Sequence, residues 1–297
     1  MGDIGLSQAQ DANAHQENLE CDVGHFGKDG YWLRRGGIES QRLDRQHQLL
    51  VKTVGYLLHP DIEESLEPNA RIADMGTGTG IVVLDLASRL PKTMSFDGFD
   101  LSPDQYSQDL PANVSLKVLD AKATPPPEVR NRYDVIHLRY LNSAMNEKDW
   151  EIVTDNVFSM LKPGGWVQWL EADFGGARWL RNDPRTKAHV HEELHSIMRP
   201  QIKHWSFAAK ELEEILMNRG FQDVRQEVTS TDRIPDMRRA WSMVEIGAMS
   251  SFFPNLKHGL SQEQCTEKIN QLKEEAQNDV YVRWNLHVWL GRKPLPN

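Results

Sequence analysis

Seven residues, Asp74-Met75-Gly76-Thr77-Gly78-Thr79-Gly80, constrain this chain more than any other stretch. They stand directly after an apolar run, ARIADM (70–75), and directly before an amphipathic one that begins at Ile81. A glycine-dense turn between a buried strand and a helix lets a ligand approach the backbone closely and offers it the unpaired N–H groups of the helix start. A dinucleotide loop reads GxGxxG, and counted from Gly76 its third glycine would fall on Ile81, whereas here it is Gly80. The acid two positions before the first glycine, Asp74, suits a ligand with an ammonium group better than a pyrophosphate.

The same alternation continues. FDGFDL (96–101), VSLKVLD (114–120), YDVIHL (133–138) and WVQWLEA (166–172) read as further strands, with helices over Ile81 to Leu90 and Asp149 to Leu161. Strands that alternate with helices predict a parallel sheet covered on both faces. Beyond Ala172 the spacing breaks. AKELEEILMNRG (209–220) then reads as a helix closed by Gly220, FQDVRQEV (221–228) as a strand, and 235–278 as a helical excursion. VYVRWNLHVWL (280–290) reads as one strand with Val280, Val282, Trp284, Leu286, Val288 and Leu290 on one face. The expectation is a seven-stranded sheet capped by the N-terminal helix and two insertions.

Asp100 ends the second expected strand, 22 residues after Gly78, where a carboxylate can accept both hydroxyls of a ribose. Asp120 ends the third and is followed by Ala121, where an exocyclic adenine amine could find an acceptor. Three acids at the carboxyl ends of neighbouring parallel strands occupy the place where open α/β sheets bind ligands.

Composition removes several classes. The 297 residues carry 43 acidic against 34 basic side chains, a formal charge of -9, with no concentrated basic face for nucleic acid. Mean hydropathy is -0.58 and no apolar run approaches the roughly 18 residues of a membrane helix, so a soluble protein is expected. Cys21 and Cys265 are too far apart in sequence for a CxxC site, and two free thiols suggest a reducing, cytoplasmic setting. Residues 1–24 lack the basic start and apolar middle of a signal peptide and read as a polar, flexible tail.

With these motifs in place, the chain resembles the class I S-adenosylmethionine-dependent methyltransferases. DMGTGTG resembles their first motif, Asp100 their second-strand acid, Asp120-Ala121 their adenine motif, and LKPGGWVQWLEAD (161–173) their LKPGG turn and fifth strand. More narrowly, GYWLRRGGIESQRLDRQHQLL (30–50), IADMGTGTGIVVLDLA, GFDLSPDQ and YDVIHLRYLN resemble the LaeA-like methyltransferases of fungal secondary metabolism. The resemblance implies a Rossmann-like α/β fold, mostly parallel with its last strand antiparallel. It divides the chain into a tail (1–24), an N-terminal cap (25–66) and a methyltransferase domain (67–297) with cap insertions near 174–207 and 230–279. The implied cofactor is S-adenosyl-L-methionine, with S-adenosyl-L-homocysteine as product, and the implied partner is a small-molecule substrate rather than nucleic acid or membrane.

The resemblance also implies roles. Asp74, Gly76, Thr77, Gly78, Gly80, Asp100, Leu101, Asp120 and Ala121 would hold the cofactor, together with Arg139 beyond the fourth strand and Arg42 in the ESxRLxxQH helix. Gln46, Tyr140, Asp173, Trp205 and Trp241 are substrate candidates, and His47, His137 and Glu171 are candidate bases for an acceptor that must lose a proton. His191-Glu192-Glu193-Leu194-His195 matches the HExxH zinc signature, but no third ligand stands at family spacing, and the segment reads as a solvated lid helix without metal. LKEEAQN (272–278) reads as a solvated face. Two rival functions remain open at this level: a cofactor-binding regulator or scaffold, and a protein methyltransferase.

Overall fold

The computed structural model describes Leu33 and residues 35–296. The tail expected over 1–24, with Cys21, and most of 25–34 lie outside the described residues.

Five apolar runs become the parallel half of the main sheet: β1 (Arg71–Met75), β2 (Ser95–Asp100), β3 (Val114–Val118), β4 (Tyr133–Arg139) and β5 (Leu161–Ala172). β7 (Gln222–Ser230) and β9 (Asn285–Arg292) complete it in the order β3-β2-β1-β4-β5-β9-β7. β9 lies between β5 and β7 and runs antiparallel to both. Alternating side chains feed opposite faces, as a period of two requires. Ile72, Phe96, Val135 and Leu170 pack into one core, while Ala73, Phe99, Ile136 and Trp169 pack into the other. The first core is covered by α1 (Gly37–Val54), α2 (Pro60–Glu64) and α3 (Ile81–Arg89), the second by α4 (Asp149–Met160) and α6 (Phe207–Asn218). α6 ends where Gly220 takes a left-handed φ of 93°.

Strand order reverses between β1 and β4. That reversal opens a crevice at the carboxyl ends of the two strands, because their crossovers leave in opposite directions. The glycine turn follows β1 and Tyr140 follows β4, so both border this crevice.

Two expectations change here. The run 280–290 is not one strand, for it breaks at Trp284 into β8 (Val280–Arg283) and β9. The break is held by Thr231, whose N–H donates to the Trp284 carbonyl at 3.0 Å and whose hydroxyl oxygen accepts from the Trp284 N–H at 3.1 Å. β8 then leaves the main sheet to pair antiparallel with β6 (Arg178–Arg181). The interval after β5 is therefore not purely helical: it holds β6 as well as α5 (His189–Ile202).

α5, α7 (Arg238–Phe252) and α8 (Gln262–Gln277) share a third core around Leu194, Ile246, Phe253 and Leu272. α5 is not a solvated lid. His191 is fully buried against the Trp179 ring, 3.9 Å between centroids, and its Nδ1 is hydrogen-bonded to Glu275. Glu275 also accepts from the Val190 and His191 amides at 3.0 and 3.1 Å, which places a carboxylate on the positive end of α5. LKEEAQN is thus not simply a solvated face: Leu272 and Ala276 are buried and Glu275 caps a neighbour. Among the described residues no group of three or more His, Cys, Asp or Glu side chains could hold a metal ion.

Candidate active site

A cavity of about 480 Å³ occupies the crevice, within the size range of small-molecule sites. Gly76, Thr77, Gly78, Asp100, Leu101, Asp120 and Ala121 form one side of it. Arg42 and Gln46 of α1 close over it, and Arg139, Tyr140 and Trp205 border the other side.

The glycine turn is built for close approach. Gly76 has φ of 71°, and a Cβ there would stand 2.5 Å from Leu141 Cδ2. The Gly76 and Thr77 amides donate to the Phe99 carbonyl at 2.8 and 2.9 Å, which pins the turn to the end of β2. Asp100 follows directly: its Oδ2 accepts from the Gly78 amide at 2.8 Å and its Oδ1 from the Ser102 amide at 3.2 Å. Burial pushes the Asp100 pKa up, opposed by those amides and by the Arg35 charge. Asp120 stands two residues beyond the end of β3 rather than within it, and its Oδ1 accepts from the Lys122 amide at 2.9 Å.

Several expected site residues stand behind the wall instead of on it. Gly80 takes φ of 81° at the start of α3 but does not line the cavity. Asp74 is buried beneath the turn, its Oδ1 2.7 Å from His137 Nδ1, so the His137 ring serves β1 and β4 rather than facing the cavity. Asp74 Oδ2 and Thr77 Oγ1 are buried with no hydrogen-bond partner, which leaves acceptors for a ligand donor in or beneath the turn.

His47 is also occupied. Arg139 Nη1 lies 2.8 Å from His47 Nδ1, and an arginine can only donate, so that nitrogen accepts. The ring proton is therefore on Nε2, 2.8 Å from Asp85 Oδ2. Burial and the Arg139 charge hold the His47 pKa low, consistent with a neutral ring. This chain ties α1 to α3 and fixes the Arg139 guanidinium. A second tie joins α1 to the turn, the Thr79 hydroxyl donating to Asp44 Oδ1 at 2.9 Å.

Glu171 is fully buried and engaged by three donors. Its Oε1 accepts from Leu141 N at 2.8 Å and Trp169 Nε1 at 2.9 Å, and its Oε2 from Asn142 N at 3.3 Å. Burial outweighs those donors and pushes its pKa up to about 7. It anchors the loop after β4, where Tyr140 has a left-handed φ of 55° that a side-chain-bearing residue adopts only under constraint. Asp173 caps a 3-10 turn through the Gly176 amide and accepts from Ser206 Oγ, and Trp241 is fully buried with its Nε1 donating to Thr53 Oγ1 at 3.0 Å. Neither lines the cavity.

Sequence reasoning missed other lining residues: Arg35 before α1, Gln105 after β2, Lys122 after β3, Asn142 after Tyr140, and Phe174, His204, Glu245 and Phe252 from the cap. Only Glu245 carried a readable signal, as the lone charged residue in the run AWSMVEIGAM.

A family model for the methyltransferase domain matches residues 44–226, which contain the turn, β1 to β5 and α6. The chain belongs to the methyltransferase family. Methyltransferase grgD of Penicillium sp is 35% identical over 284 residues, covering 89% of this methyltransferase and 96% of the relative. The secondary metabolism regulator LAE1 of Hypocrea atroviridis is 24% identical over 288 residues, covering 91% and 81%. Among solved structures, a phosphoethanolamine N-methyltransferase 2 of Haemonchus contortus shares the fold with a TM-score of 0.51 at 19% identity, covering 87% of this chain and 57% of that one.

Proposed function

We propose that this methyltransferase moves the methyl group of S-adenosylmethionine to an N, O or S atom of a small secondary metabolite. The observation that carries the reading is a single cavity in which the Gly76–Gly80 turn, Asp100 and Asp120 meet an aromatic, capped end formed by Tyr140, Phe174, Trp205 and Phe252. The cofactor side and the acceptor side share one cavity of about 480 Å³, a volume in the range of small-molecule sites. Relatives whose names place them in methyl transfer, such as grgD, support the same reading.

The residues fit the cofactor. Asp100 presents a carboxylate to a ribose, the segment after β3 borders an adenine site, and Thr77, which lines the cavity, has a buried hydroxyl without a hydrogen-bond partner that a ligand could engage. When bound, S-adenosylmethionine supplies an already activated methyl group. The protein therefore has to align and desolvate the reactants, an effect worth up to roughly 7–11 kcal/mol. Arg139, held by His47 and Asp85, places a fixed positive charge at the cavity wall, and Glu171 holds the Tyr140–Asn142 backbone that shapes the acceptor side.

Among the described residues no helix is long and apolar enough to cross a membrane. The free, buried thiol of Cys265 supports a reducing compartment such as the cytoplasm.

The test is transfer of isotope-labelled methyl from S-adenosylmethionine into a fungal metabolite extract. Label in the low-mass fraction supports the reading; label confined to protein shifts the acceptor to a protein; no label in either fraction contradicts it.

A further inference from the structure

α7 carries a single ionisable side chain between Arg239 and its end at Phe252, and that side chain is Glu245. Glu245, Ala248 and Phe252 stand at i, i+3 and i+7, the stripe of α7 that lines the cavity. Ile246 and Met249 face the cap core instead. α7 can approach α1 closely because Gly247 has no Cβ, and one placed there would meet Arg42 Cδ at 3.2 Å. Arg42 thus lies within electrostatic reach of Glu245 and lowers its pKa, while its own guanidinium is held by Glu39 through bonds of 2.8 and 2.6 Å. Tyr140, after β4, also senses the Glu245 charge. Burial nonetheless pushes the Glu245 pKa up to about 7. Among the described residues no hydrogen bond engages this carboxylate, so a ligand can supply the donor.

The wall beside it is aromatic. Tyr140 stacks on Phe174 at 5.8 Å, Phe174 meets Trp205 edge-on at 5.9 Å, and Trp205 meets Phe252 edge-on at 5.3 Å. All four rings line the cavity. Asp100 ends β2 and Asp120 lies in the loop after β3, on the other side of the strand-order reversal from β4 and β5. Asp149, at the start of α4, also lines the cavity, but its carboxylate accepts from the Asn146 amide at 3.0 Å and faces Lys122 Nζ at 3.6 Å, which leaves Glu245 as the unengaged carboxylate beside the rings. A flat apolar body fits the rings, and an N–H, O–H or ammonium at its edge complements the carboxylate.

We infer that Glu245 is the anchor and proton acceptor for a flat aromatic acceptor, receiving the N–H or O–H of its nucleophilic atom. The inference rests on the methyl-transfer reading above. In the transfer, the acceptor's N or O lone pair forms the new bond to the methyl carbon as the carbon–sulfur bond of the donor breaks with its pair left on sulfur. Glu245 takes the displaced proton, so the positive charge of the donor and the negative charge of the carboxylate disappear together. An acceptor that carries a carboxylate at this edge is repelled.

The experiment titrates tryptamine and indole-3-acetate, which share a ring system and carry opposite charges, into protein saturated with S-adenosylhomocysteine at pH 8, read by calorimetry. Tryptamine is expected to bind at least about tenfold tighter to wild type, and E245Q to bring the two within about threefold. Glu245→Asp, which keeps the charge, is expected to keep part of the preference and provides a second variant should E245Q fold poorly. Equal affinity for the two probes, a preference that survives E245Q, or no binding of either probe to the saturated wild type overturns the assignment. Failure of wild type to bind S-adenosylhomocysteine at all is a separate result: it removes the methyl-transfer reading first and the assignment with it.

Discussion

Replacing Glu171 with Gln should remove a pH-dependent loss of stability of about 3 kcal/mol. The carboxyl is 1% exposed, and burial raises its pKa from the ordinary 4.5 to about 7 despite bonds from Trp169 Nε1 and the Leu141 and Asn142 amides. Between those two values the folded protein keeps a proton that the unfolded chain has released, so stability falls as pH rises through this window and levels off above it. At about 1.4 kcal/mol per pKa unit the whole difference amounts to about 3 kcal/mol. Glutamine has nearly the same shape and does not titrate. Urea unfolding of both proteins at pH 5 and pH 8 measures the effect, and all other titrating groups cancel in the comparison. Wild type should lose about 2–3 kcal/mol more than E171Q between the two conditions. An equal loss in the two proteins would refute the reasoning, since it would mean that the three donors offset the burial of the charge.

Two further substitutions separate the cavity wall from what stands behind it. Gly76→Ala places a methyl 2.5 Å from Leu141 Cδ2 at a φ of 71°, which costs roughly 1–2 kcal/mol in backbone strain alone. Calorimetry should show S-adenosylhomocysteine affinity falling by about tenfold or more, because the strained turn and the Leu141 side chain, both of which line the cavity, are displaced. Trp241→Phe removes the bond to Thr53 Oγ1 and part of a fully buried ring, and should lower stability to urea by about 1–3 kcal/mol. Its cofactor affinity should stay at the wild-type value, and a large loss would place Trp241 in the site after all.

The parts of the site that local sequence dictates are legible in the amino-acid order itself. The glycine turn, the strand ends at Met75 and Asp100 and the five parallel strands follow from period-two burial and turn chemistry within short windows. The acid–base candidates are not legible in the same way. His47, His137 and Glu171 stand on the expected elements, but where each side chain is engaged depends on partners 30 to 92 residues away in sequence: Arg139, Asp74 and Leu141. The break at Trp284 depends on the Thr231 contact, 53 residues away, which no run of alternating apolar residues reveals. Glu245 and Phe252 reach the cavity only because α7 packs on α1, a helix from the other end of the chain whose contact passes through the bare Gly247.

Titration of S-adenosylhomocysteine into wild type and Asp100→Ala tests the central claim most directly. The Asp100 carboxylate stands at the cavity wall with Oδ2 on the Gly78 amide, and charge-assisted bonds of this kind are worth about 1.5–3 kcal/mol. The expected result is micromolar binding to wild type and affinity about 10- to 100-fold weaker in the variant. No binding to wild type, or equal affinity in the two proteins, would contradict the account.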